Sequence, residues 1–184
     1  TPLKGGRVDD TPYGGGAGMV MRVDVVDAAL EARYGGERSG RRIVVLSPGG
    51  RQFDDALAGE LAGERELTLL CGRYEGFDER VHEHLATDAI SIGRYVLAGG
   101  EIAAMVVADA VLRKLPEALG DPHSAIEESF SEALGGDPEY PHYTRPADYR
   151  GWAVPEILLS GDHARVREWR RGRSRDRGAR RPSA

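Results

Sequence analysis

The chain has 184 residues, 40% of them hydrophobic, with a mean hydropathy of −0.44 and a formal net charge of −5. This suffices for one medium domain or a domain with a small appendage, and no run approaches the roughly 20 apolar residues that a membrane-spanning helix needs. The only cysteine, Cys71, excludes an internal disulfide and fits a reducing, cytoplasmic setting with no membrane partner.

In chain order, residues 1–6 (TPLKGG) carry no strand pattern. The segment DDTPYGGGAGM at 9–19 is rich in glycine but lacks the Gly-Lys-Ser/Thr ending of a phosphate loop. No strand pattern precedes it, and the acids about twenty positions on, Glu31 and Glu37, sit in or after a predicted helix where a dinucleotide fold needs one leaving a strand, so it reads as a structural turn. Apolar spacing predicts a helix over 24–33, broken at Gly35 and Gly36. A strand over 43–46 follows, then the turn SPGG at 47–50 and a helix over 53–61 ending near Gly63. Residues 67–71 predict a strand, and 78–85 a helix whose acidic first turn suits the helix dipole. A third strand spans 89–92. The longest helix spans 101–115, with Ile102, Met105, Val106, Val111 and Leu112 near helical spacing and Pro116 as its stop. Strands alternating with helices predict an α/β fold with a mostly parallel sheet.

The texture then changes. Residues 120–141 are acidic and rich in Gly, Pro, Ser and His, with weak periodicity, as in a linker that orders on binding. Residues 155–159 form a short apolar element, and Asp162 has the character of an N-cap for a basic helix from 163 to about 171. The expected organisation is an α/β domain over 1–119, a flexible linker over 120–135 and a small helical C-terminal domain over 136–184. Residues 165–184 hold nine Arg against Glu168 and Asp176, a local charge of +7 that leaves −12 on the remainder. Two readings of this tail stand side by side: a polyanion contact, for which Arg suits phosphate better than Lys, and a solvated, partly disordered terminus.

Each predicted strand runs into a glycine-bearing turn: SPGG, CGRYEG at 71–76 and SIGRYVLAGGE at 91–101. Glycine lets main-chain groups approach a ligand closely, and open α/β sheets bind ligands beyond the carboxyl ends of their strands. The pattern therefore predicts a small-cofactor pocket walled by backbone. Tyr74 and Tyr95 are candidates to border an adenine, while the backbone of Gly72 and of residues 92–97 meets its polar edge. Either tyrosine alone would read as core packing.

The motifs PYGGGAGM, LSPGG, CGRYEGFDERV, SIGRYVLAGGE and SFSEAL…PHYTRP…VPEILLSGDHARVREWRR run in order over nearly the whole chain. Together they resemble the bacterial tRNA (guanine-N1)-methyltransferases of the TrmD type, in the SPOUT superfamily. The resemblance implies S-adenosylmethionine bound in a deep trefoil knot, an obligate homodimer with shared active sites, and a tRNA anticodon stem-loop as partner. It also implies a further strand and helix ahead of residue 9, so the chain looks short at its N-terminus. The knot loops would be 47–50, 72–76 and 92–100. The implied cofactor contacts are Ser47, Pro48, Gly72, Tyr74, Glu75, Gly76, Ile92, Gly93, Arg94, Tyr95, Val96, Leu97, Gly99 and Gly100.

Methyl transfer to guanine N1 needs a base to take the N1 proton and a cation to meet charge growing at O6. By the resemblance Glu128 stands where the family has its catalytic Asp, and Arg113 where it has the supporting Arg. Glu carries one methylene more than Asp, which moves the carboxylate about 1.5 Å outward, and Glu127 is a neighbouring carboxylate that could assist. Arg94 also departs from the family, which commonly has Asp there. Glu139, His142, Tyr143, Arg145, His163, Arg165 and Trp169 join aromatic faces to charge as RNA-contact surfaces do. Spacing to Pro141 favours Glu139 over Asp137 as the acid before PHYTRP. Metal ligands look poor, since His82 and His84 diverge on a helix; the reading leaves room for a loosely held Mg2+ beside O6. The implied activity is methylation of N1 of guanine 37, 3′ of the anticodon. The alternative is a catalytically impaired relic that binds tRNA or cofactor, and a nucleotide-binding oxidoreductase is disfavoured for want of its motif.

Overall fold

The computed structural model describes residues 1, 3–118 and 127–180. Its contacts divide the chain into two compact units, Thr1–Ala118 and Leu119–Ala184. Among the described residues, no helix is long and apolar enough to cross a membrane.

The first unit opens with a single 3-10 turn at Lys4–Gly6. Strands β1 (Asp9–Asp10) and β2 (Val20–Met21) pair antiparallel, so the glycine-rich segment between them is a hairpin connection with a short strand ahead of it. Helix α1 (Val23–Tyr34) ends where Gly35 takes a left-handed φ of 59°. Then come β3 (Arg42–Gln52), α2 (Asp55–Ala62), β4 (Leu67–Cys71), α3 (Glu79–His84), β5 (Asp88–Ser91) and α4 (Glu101–Leu112). Asp54 and Asp78 cap α2 and α3 by accepting from the backbone N–H groups of Leu57 and Arg80.

Three of these strands form a parallel sheet in the order β4-β3-β5. β3 lies at the centre, which is why Ile43–Leu46 is an unbroken apolar run with every residue buried. Alternation along the strand sends Val44 and Leu46 to one face, with Leu57, Leu61, Val107 and Val111 of α2 and α4. Ile43 and Val45 go to the other face, with Val26, Leu30 and Val81 of α1 and α3.

Three expectations need correction. SPGG does not end its strand: Leu46 and Arg51 both stand opposite Ile90, so residues 47–50 bulge out and β3 resumes to Gln52. α4 stops at Leu112 rather than at residue 115, because the Pro116 ring would clash with the carbonyl four residues back. Its buried face is Ala103, Val107 and Val111, whereas Ile102, Met105, Val106 and Leu112 are exposed. The apolar spacing was there, but the helix is apolar nearly all round.

In the second unit, part of the expected linker, residues 120–126, lies outside the described residues. From residue 127 on the backbone is tied down: the Ser131 N–H donates to Glu128 O, the Phe130 N–H to Asp137 O, and the Glu139 N–H to Ser129 Oγ. Strands β6 (Asp148–Tyr149) and β7 (Trp152–Ala153), which the sequence pattern does not announce, make an antiparallel pair. A 3-10 turn at Glu156–Leu159 leads to α5 (His163–Ala179), capped by Asp162 as expected. α5 runs eight residues past the expected end at Arg171. Buried Ser174 donates to Pro138 O and Arg177 donates to Glu139 O, which anchors the second half of the helix.

Ion pairs bind the helices to the sheet, with Arg42 meeting Glu60, Glu64 and Asp88 at one end of β3. Hydrogen bonds from Arg22, Arg42 and Arg80 hold the carboxyls of Asp24, Glu60 and Asp78 below the usual carboxylate range. A carboxyl depressed by folding contributes stability above its unfolded pKa and loses it as pH falls through the folded value. The urea midpoint should therefore hold from pH 7 down to about 5 and then drop below about pH 4, the ordinary range of these groups. Equal midpoints at pH 7 and pH 3 would refute the assignment.

Candidate active site

The bulge in β3 and the carboxyl ends of β4 and β5 meet around a cavity of about 400 Å3. At β3 the wall is the bulge, with Ser47 Oγ accepting from the Gly49 N–H at 3.4 Å. Gly50 returns the chain so close to β5 that a Cβ would overlap the backbone of Ala89 and Ile90. After β4, Tyr74 sits at the tip of a turn with φ 59°, and β2 braces that turn: the Glu75 N–H donates to Met19 O, and the Met21 N–H to Gly76 O. Arg73 reaches Glu101 at the start of α4 with an ion pair of 2.8 Å.

After β5, buried Ser91 folds the next turn back on itself through Oγ contacts to the backbone of Gly93, and the Tyr95 hydroxyl donates to Ile92 O. The loop then returns to β4, where the Gly100 N–H donates to Gly72 O at 2.9 Å. At Gly100 a Cβ would stand 2.8 Å from Cys71 Cα, so only glycine fits. Hydrogen bonding, from its own backbone N–H first and then from Arg73, holds the Glu101 carboxyl low. Burial, with Glu101 adding to it, pushes the Cys71 thiol up, so Cys71 is a protonated packing residue rather than a nucleophile.

Every residue named above for the cofactor lines this cavity except Arg94, which is exposed on the loop. Sequence reasoning missed Phe77, Glu79 and His82, which line it beside α3. The three-residue spacing of Glu79 and His82, which puts both on one helix face, was the signal that could have found them. Val45, Leu46, Ile90 and Ala103 supply an apolar floor shared with the core.

The two catalytic candidates fall in different units. Arg113 caps the C-terminus of α4, its N–H donating to Asp109 O. Glu128 lies in the turn that opens the described part of the second unit, and neighbouring Glu127 accepts from the Tyr140 hydroxyl at 3.1 Å.

The RNA candidates gather more loosely. His142 pairs with Glu139 at 2.9 Å, and Tyr143 tilts against Trp169 with ring centroids 6.5 Å apart. His142, Tyr143 and Arg145 line a second cavity, of about 410 Å3, with Tyr140 and Arg170. His163 and Arg165 are exposed on the first turn of α5, outside that lining.

A family model described as tRNA (Guanine-1)-methyltransferase TrmD matches residues 1–183. The chain belongs to the TrmD family. A tRNA (guanine-N(1)-)-methyltransferase of Brevibacillus brevis is 54% identical over 180 residues, which is 97% of this chain and 72% of that protein. Proteins of the same description from Dehalococcoides mccartyi and Geobacter metallireducens are 54% and 56% identical, covering 91% and 89% of this chain. The chain spans 66% and 65% of those two TrmD relatives' own length.

Proposed function

We propose that this chain methylates N1 of guanine 37 in tRNA with S-adenosylmethionine as donor. The observation that carries the reading is the cavity between the β3 bulge and the glycine-bearing tips of β4 and β5, in a chain of this methyltransferase family. Its volume lies in the range of cofactor sites. Its lining fits the group: main-chain walls at Gly72, Gly99 and Gly100, aromatic edges from Tyr74 and Tyr95, and carboxylates from Glu75 and Glu79 toward a cationic ligand.

When bound, S-adenosylmethionine supplies an electrophilic methyl group on a sulfonium. The remaining work falls to the chain's own groups. Glu128 accepts the N1 proton of guanine, which frees the N1 lone pair. Arg113 meets the negative charge that then builds at O6. The loop after β5, held by its Ser91 and Gly100 contacts, keeps the cavity wall rigid, so orientation is set before the reaction. The aromatic and basic side chains around Tyr143 and Trp169 receive the anticodon stem-loop, with the target base flipped out of its stack.

We further read the loops after β4 and β5 as the crossing strands of a trefoil knot, a reading supported by the return of Gly99 and Gly100 to Arg73 and Gly72. The exposed apolar face of α4, with Ile102 and Met105 62% and 70% exposed, supports a homodimer contact.

Methyl incorporation into tRNA transcripts bearing guanine or adenine at position 37 tests the reading. Incorporation into the guanine transcript alone is expected. Donor and tRNA binding without incorporation would favour the impaired relic, to which Glu128 and Arg94 in place of Asp point. Absence of calorimetric heat with S-adenosylmethionine would overturn the site itself.

A further inference from the structure

α5 carries its arginines on two flanks with different employment. Arg170 lies over the Tyr140 ring, Arg173 over the Trp169 ring and beside Asp176, and Arg177 donates to a backbone carbonyl. These hold the second unit together. Arg167, Arg171 and Arg175 lie on the other flank, four residues apart, all exposed and without an ion-pair partner among the described residues.

That spacing sets them in one row, with successive Cα positions about 6 Å apart along the axis. The row forms one wall of a groove of about 480 Å3, whose opposite side is the turn with Ala133 and Leu134. Glu168 is the single acid in the lining. Three guanidiniums holding no internal carboxylate, evenly stepped along an open groove, match a linear polyanion rather than a compact anion. A compact anion would call for convergent donors.

We propose that this groove holds the sugar-phosphate backbone of one tRNA strand, one phosphate to each of Arg167, Arg171 and Arg175, with no base read there. The inference rests on the tRNA reading above and adds to it a sequence-independent clamp, separate from the cavity beside Tyr143. Contacts of this kind position an RNA without specifying it.

The test is the salt dependence of tRNA binding by the full chain, comparing the parent with R167Q, R167Q/R171Q and the triple glutamine variant. Each phosphate contact contributes about 0.7–0.9 to the slope of log K against log salt. The slope should fall stepwise, by about 2 in the triple variant, with affinity down about tenfold near physiological salt. The triple lysine variant, which keeps the charge, should retain the slope. Preference for guanine over adenine at position 37, and the methylation rate at saturating tRNA, should not change. An unchanged slope in a triple variant with parental circular dichroism overturns the clamp while leaving the tRNA reading intact. Loss of base preference would instead mark the groove as a reading site and overturn the proposal equally. If the parent itself fails to bind tRNA, the tRNA reading fails and the clamp falls with it.

Discussion

Glu128→Gln will lower the single-turnover rate of methyl transfer to tRNA by a factor of about 10²–10⁴, the range that a positioned general base supplies. Affinity for S-adenosylmethionine should stay within about twofold, because the cavity at the strand tips takes no lining residue from this turn. Glutamine keeps the shape but loses the charge and the capacity to take the N1 proton, so a lost rate in a variant of parental stability reports on the carboxylate's part in the reaction rather than on folding. Glu127→Gln serves as the neighbouring comparison. Its partner is the Tyr140 hydroxyl, so it should cost at most about 1 kcal/mol of stability and leave the rate largely intact. A Glu128→Gln enzyme turning over at the parental rate would remove this residue from the reaction.

Gly50→Ala is the second large effect. The added methyl would overlap the backbone of Ala89 and Ile90, and Ile90 and Ser91 are 1% and 4% exposed. Neither element can yield cheaply: β5 is an edge of the parallel sheet packed under α4, and β3 is its centre. The expected cost is about 3 kcal/mol, the upper end for overpacking a well-filled interior. The same displacement would move Ser91 and the turn that it folds, so cofactor affinity should fall together with stability. Gly49→Ala is the contrast. There the nearest atom to a new Cβ is Ser47 Oγ at 4.0 Å, and the change should be worth less than about 0.5 kcal/mol. Denaturant unfolding and donor titration of the two variants decide the matter, and equal behaviour would show that the bulge does not brace the site.

Much of the first unit was legible because its signals are local. The apolar run 43–46 implies a strand buried on both faces, the acidic residues from Asp78 on suit a helix start, and Gly35 announces a helix end. The site was legible as a set of glycine loops, and nearly every residue inferred for it lines one cavity. Glu79 and His82 escaped because a helix face means little until one knows which loops it borders. The face of α4 was misjudged for a related reason. A helix apolar nearly all round has no periodic sign to say which stripe goes inward, and only the packing against β3 and α2 selects Ala103, Val107 and Val111.

By its own pattern of side chains, the chain determines that strands alternate with helices, that glycine-bearing turns follow β4 and β5, and that a basic helix starts after Asp162. These depend on neighbours a few residues apart, where propensity, capping and φ preferences act. Tertiary structure alone decided that SPGG is a bulge with β3 resuming beyond it, that Gly50 and Gly100 are required by close approach, and that α5 continues to Ala179. Each of these rests on a contact between residues far apart in sequence: Gly50 with Ile90, Gly100 with Cys71, Ser174 with Pro138. Such a contact exists only once loop closure has brought the segments together.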